Sequence, residues 1–202
     1  MEYISNKTLF KKSIIFFIIA VFITIISTVI TYIINPDLKS IMDGLENNSP
    51  NQIKETTGIN KVWQYIVNNG FIVPFQMFIL SLIPIQFLYF LNIIMTVFLS
   101  GVLYGITLQE SFGEGFSLIV SSVPHYVFEI FAFSLFAAIL FKFNQVVRAK
   151  IKNIFKKNKS KQYFIKNLLD VVKTYAIFVF PIIIIAAFLE TYIADIIFEL
   201  VR

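Results

Sequence analysis

Between Lys61 and Glu110 the chain runs through 48 consecutive residues, 62 to 109, without one charged side chain. As a single helix rising about 1.5 Å per residue, this run would be roughly 72 Å long, more than two hydrocarbon cores of about 30 Å each. It must therefore turn back at or within a membrane. Pro84, with the polar Gln86 and Asn92 nearby, marks the turn and predicts spans over 71–86 and 90–107. The first is short for a crossing and carries Pro74, which predicts a bent, tilted or partly interfacial segment.

Composition agrees. Apolar residues make up 57% of the 202 and charged ones 14%, with 24 Phe, 9 Tyr and a mean hydropathy of +0.79. A soluble domain has about 45–50% and about 25% of each class. An ordinary cytosolic enzyme and a disordered chain are thereby excluded. The absence of Cys excludes disulfides, thiolate catalysis and Cys-type metal sites.

Three more spans follow from the apolar pattern. Residues 13–34 are uncharged and flanked by Lys11 and Lys12. This run is longer than the apolar part of a signal peptide, and no small-x-small cleavage site precedes Pro36, so it is expected to be retained. A fourth span is expected over 124–141, with 116–122 as a short helix or membrane-dipping segment before Pro124. A fifth is expected over 175–189. The fold class is thus an all-α integral membrane protein, one membrane domain built as a bundle of about five helices.

The charges orient it. Ten of the 17 basic residues fall between Lys142 and Lys173, and Lys7, Lys11 and Lys12 precede the first span. With the N-terminus inside and the C-terminus outside, these 13 all face the cytoplasm, as the positive-inside rule requires. A single crossing by 62–109 would put the basic block outside. Such juxtamembrane clusters meet an anionic leaflet, so the net charge of +5 points to the bilayer and not to nucleic acid. Within 142–170, Phe143, Val147, Ile151, Ile154 and Phe155 share one helical face with Lys and Arg opposite. This predicts an interfacial helix on the inner leaflet, with a docking surface for a cytoplasmic partner as the alternative. In the outer loop 35–61, Ile41, Met42 and Leu45 predict a short helix before a polar turn.

The one His lies in Pro124-His125-Tyr126-Val127-Phe128-Glu129. His125 and Glu129 are four apart and so share a helix face. A charged residue at the centre of a span costs roughly 2.5–3.5 kcal/mol on insertion scales, so an intramembrane acid calls for a partner. Three readings follow: a structural polar clasp, a metal site completed by Glu110 or Glu114, and an acid–base or proton-transfer role. No metal or cofactor is expected, because no recognised catalytic or metal-binding motif and no second His accompany the pair. Gly101-Val102-Leu103-Tyr104-Gly105 is a G-x-x-x-G that lets a second helix approach closely, with a partner in the same chain the better reading. Gly113 and Gly115, between and beside Glu110 and Glu114, predict a flexible acidic outer loop. Glu110, Glu114, His125 and Glu129 would then cluster near the outer face.

Asn92, the Gly101/Gly105 span, the Gly-containing connection and Pro124-His125-x-x-Phe128-Glu129 together resemble the stage II sporulation protein M-like family over about Gln64–Phe141. Only His125 and Glu129 carry over residue by residue, and Tyr126 stands where the family usually has Gly. The resemblance implies a small multi-pass protein of the bacterial cytoplasmic membrane. The founding member is similar to a scaffold that holds peptidoglycan-degrading partners during forespore engulfment; other members accompany circular bacteriocins. Fold kinship does not fix function. The expectation is a non-enzymatic scaffold or assembly factor, with the lipid bilayer, other membrane or envelope proteins, and also a second copy of the chain as its partners. A component of peptide export or bacteriocin maturation and immunity is the alternative. An intramembrane enzyme centred on His125 and Glu129 is the second alternative.

Overall fold

The computed structural model describes residues 6–34, 57–154 and 164–202. Five helices long and apolar enough to cross a membrane make up nearly all of it. We label them α1 (Asn6–Ile34), α2 (Ile59–Leu82), α3 (Leu88–Glu110), α4 (Phe112–Ile154) and α5 (Phe164–Val201). The short helix expected around Ile41–Leu45 lies outside the described residues.

The count and order of spans match the sequence reading, but their bounds differ. Helix α2 begins at Ile59, twelve residues before the expected start, because Asn60, Gln64, Asn68 and Asn69 are helical although they dilute the hydropathy. It stops at Leu82, and the chain turns through 83–87 as Pro84 and Gln86 indicated, with Phe87 in the left-handed region at φ 68°. Pro124 does not start a span; α4 runs through it unbroken, so 116–122 is not a separate segment. Two serines in the turn before it, Ser121 and Ser122, donate to the Leu118 and Ile119 carbonyls at 2.9 Å each. Helix α5 extends well past 175–189 in both directions.

Helix α4 is the axis of the bundle. In its most apolar stretch 61% of residues are buried, against 28% for each of the other four spans. Ile130, Phe133, Phe136, Ala137 and Leu140 meet Ile93 and Val97 of α3 and Val179 and Ile183 of α5 in one core. The other helices turn large apolar side chains outward, as in Ile18, Phe22, Ile33, Phe75 and Leu103, which is how a lipid-facing surface differs from a soluble one.

Helix α1 packs on α3 and α4 through a seam of small polar residues. Ser13, Ala20, Thr24, Ser27 and Thr31 are buried, and Gly101 and Gly105 of α3 lie directly against them. A Cβ on Gly101 would sit 1.9 Å from Ser27 Oγ, and one on Gly105 2.6 Å from Thr31 Cβ. The G-x-x-x-G face is therefore occupied within the chain. Gln109 Nε2 donates to the Tyr32 carbonyl at 2.5 Å and lies 3.3 Å from that of Thr31, serving two of the carbonyls a helix end leaves unpaired.

At the other end of the bundle, buried Asn144 donates through Nδ2 to the Ser81 and Ile83 carbonyls, both at 2.8 Å, and so holds the 83–87 turn. Residues 142–154 do not form a separate interfacial helix. They continue α4, and Phe143 and Val147 of the predicted membrane face are buried, with Phe143 stacked on Phe78 and packed 5.3 Å from the Phe164 ring. Phe143 at the start of this stripe is covered by α2 and α5, whereas Ile151 is exposed and Phe155 lies outside the described residues. Beyond Asn144, α4 continues for ten residues, or about 15 Å.

Candidate functional site

Where α2, α4 and α5 meet, four polar side chains converge about two turns from the start of α2. His125 Nδ1 lies 2.5 Å from Glu190 Oε2. Tyr65 donates its hydroxyl to Glu190 Oε1 at 2.7 Å, and Lys61 Nζ stands 3.9 Å from the same oxygen. Glu190 thus joins three helices through one carboxylate. His125 and Glu190 side chains keep only 17% and 18% of their exposure, so this charge is largely shielded and its partners matter.

The acid in contact with His125 is Glu190 of α5, a residue that the sequence pairing of His125 with Glu129 did not include. Glu129 is half-buried and makes no hydrogen bond or ion pair among the described residues. The order base-then-acid at i, i+4 is the weaker one. A carboxylate facing it from α5 fits better.

Local irregularity delivers that carboxylate. Residues Leu189–Ile193 form a widened turn of π type, and so do Ile66–Ile72 in α2 and Tyr175–Val179 in α5. Ile183, Ala186 and Ala187 set the inner face of α5, and the widened turn keeps Glu190 and Thr191 on it. Such turns are common at functional sites. The other two face each other: Tyr175 donates its hydroxyl to the Gly70 carbonyl, the group that Pro74, lacking an N–H, cannot serve. Gly70 leaves little room there, since a Cβ would come within 3.1 Å of the Phe180 ring.

Beside the charge cluster is a cavity of about 250 Å³ between α3, α4 and α5. Its polar lining is Ser100, Tyr104, Ser121, Ser122, His125, Glu190 and Asp195. Tyr104 and Ser122 also line an apolar cleft of about 240 Å³ against α1, so the 2.6 Å contact between their hydroxyls is the wall between the two spaces. Tyr126 hydrogen-bonds Thr24 Oγ1 and ties α4 to α1.

Glu110 and Glu114 do not join this cluster. Glu110 ends α3, and Glu114, in the first turn of α4, pairs with Arg202 at 3.4 Å on the exposed end of the bundle. Glu114 is eleven residues, or about 16 Å, from His125 along the helix. Nor is 113–115 a loop: α4 starts at Phe112, and a Cβ on Gly115 would meet the Leu108 backbone nitrogen at 2.5 Å. Among the described residues no three His, Asp or Glu side chains converge in a way that could hold a metal ion. Glu190, Tyr65, Lys61 and Asp195 were missed in the sequence because Glu190 reads as the border of an apolar run. The signal was the run beyond it, Thr191–Ile197, which resumes apolar character after one acid.

Comparison with known proteins agrees with this architecture. The family model described as stage II sporulation protein M matches residues 13–195, which takes in all five helices and Glu190 as well as His125 and Glu129. No curated protein and no solved structure matches the chain.

Proposed function

The chain belongs to the stage II sporulation protein M family, and from that premise we propose that it is a non-enzymatic scaffold of the bacterial cytoplasmic membrane. It would hold partner proteins of the cell envelope, with its N-terminus inside and its C-terminus outside. The observation that carries this is the shape of its basic end. Helix α4 extends about 15 Å past the turn that Asn144 closes, and this extension carries Arg148, Lys150 and Lys152. Beside it, α5 exposes Ile165, Leu169 and Val172 at i, i+4 and i+7. A helix pair with a basic edge and an apolar stripe exposed among the described residues is suited to a helix-in-groove partner with acidic flanks.

The charge cluster supports the same reading by its economy. His125 is already in contact with Glu190, Tyr65 gives its proton to the same acid, and both act across helix boundaries. They serve as a clasp that keeps the platform rigid. The glycines offer no partner surface, since α1 covers them.

The test is affinity capture from native membranes in mild detergent, wild type against Lys150→Glu/Lys152→Glu. The scaffold reading expects a specific partner set that is lost in the variant while the protein's level and detergent behaviour are kept. An unchanged partner set would count against this platform.

One observation favours the peptide-handling alternative. An apolar groove of about 240 Å³ runs along Phe71, Pro74, Phe75, Phe136, Val172 and Tyr175. Deletion that changes peptide sensitivity and leaves envelope partners in place would favour it.

A further inference from the structure

The cavity beside Glu190 has a hydrogen-bonding character that can be worked out from its neighbours. Each Ser has one hydroxyl proton. Ser100 gives its proton to the Thr96 carbonyl at 3.0 Å, Ser121 to that of Leu118 and Ser122 to that of Ile119, both at 2.9 Å. With the Ser122 proton used, the 2.6 Å contact between Tyr104 and Ser122 must have Tyr104 as donor. All four hydroxyls in the lining have therefore spent their donors within the protein, and what they turn to the cavity is lone pairs. Asp195 adds an exposed carboxylate, and Glu190 the edge of one already in contact with Tyr65, Lys61 and His125. Lys61 reaches Glu190 from α2 and is not part of the lining, so the one basic side chain among the lining residues is His125. His125 directs Nδ1 at Glu190.

A cavity whose hydroxyls and carboxylates only accept hydrogen bonds is complementary to a group that only donates them, and its charge favours a cation. An ammonium has three donors and no acceptor, and a guanidinium has five. We propose that this cavity binds the ammonium or guanidinium group of a small organic cation or of a partner's Lys or Arg side chain, seated between Asp195 and the Ser121–Ser122 hydroxyls. A volume of about 250 Å³ admits such a head and part of an alkyl chain, for which Leu103, Leu118, Ala194 and Phe198 supply apolar walls. Pocket chemistry of this kind, apolar walls with a few convergent polar groups, is typical of ligand sites.

The experiment uses the full chain in mild detergent and two probes in calorimetric titration. One is 1,5-diaminopentane, with pentane-1,5-diol as its neutral twin. The other is a synthetic single-span peptide with one Lys, beside the same peptide with norleucine. Saturable binding of the diamine or of the Lys peptide, absent for its neutral twin and about tenfold weaker in Asp195→Asn, is the expected result. Asp195 is exposed, so this variant keeps the fold, and Ser121→Ala gives an independent reading by removing one acceptor. Binding of the free diamine identifies a soluble cation as sufficient; binding of the Lys peptide alone identifies a partner side chain. Failure of both probes, equal binding of a neutral twin, or an Asp195→Asn protein with wild-type affinity would overturn the proposal.

Discussion

At the scale of single residues, the weight rests on Glu190. Its carboxylate is the meeting point of Tyr65, Lys61 and His125, from two other helices. Removing one member of a shielded, hydrogen-bonded charge pair leaves the other without compensation, which costs more than the pair contributes. His125→Ala and Glu190→Ala should each destabilise the bundle by about 2–4 kcal/mol, whereas Glu129→Gln should change little, because Glu129 has no described bond to lose. Thermal unfolding in detergent, followed by loss of the monodisperse peak in size-exclusion chromatography, would rank the three. A Glu129→Gln variant as unstable as His125→Ala would restore the i, i+4 pair. Sequence reasoning reached His125 because an ionisable group in an apolar run stands out by itself. It did not reach Glu190 because a helical face is visible in one dimension, while the facing residue is set by how two helices cross.

At the scale of elements, the α1–α3 contact and the Tyr175–Gly70 bond make separate predictions. Gly101 faces Ser27 and Thr24 at distances that leave no room for a side chain. Gly101→Leu should therefore push α1 away and cost about 3 kcal/mol or more, since the obstacle is partly backbone. A protein of unchanged stability would mean that α1 is free to shift. Tyr175→Phe deletes one hydrogen bond to a carbonyl that Pro74 cannot serve. The expected loss is about 1–2 kcal/mol, with the same chromatographic readout, and no loss would mean the widened turn finds another donor. The helices themselves were legible: five apolar runs, a turn at Pro84 and a small-residue face on α3 all follow from local pattern. Their ends were not. Hydropathy marks where a helix is apolar, and α2 and α4 continue as helices through polar or basic residues because neighbours pack against them there. Pro124 misled for a related reason: a membrane-spanning helix with neighbours to pack against runs through a proline that would break it in isolation.

At the scale of the whole molecule, the five spans place both described ends of α1 and α5 on opposite faces of the bundle, and the basic residues gather at one of them. The orientation we propose puts that end in the cytoplasm, as the positive-inside rule requires. The chain's lack of cysteine makes this simple to test on intact cells. Gly113 stands in open space at the acidic end and Lys152 is exposed at the basic end. Gly113→Cys should react with a membrane-impermeant maleimide added outside, and Lys152→Cys only after permeabilisation. The reverse pattern would invert the topology and remove the platform from the cytoplasm.

The scaffold reading stands on what touches that basic end, and photo-crosslinking in living cells asks this most directly. A benzophenone amino acid at Ile165, exposed on the platform, is compared with one at Ile33, exposed near the far end of α1. The account predicts a discrete protein adduct from Ile165 that is missing from Ile33. Lipid adducts alone from Ile165, or the same adducts from both positions, would contradict it.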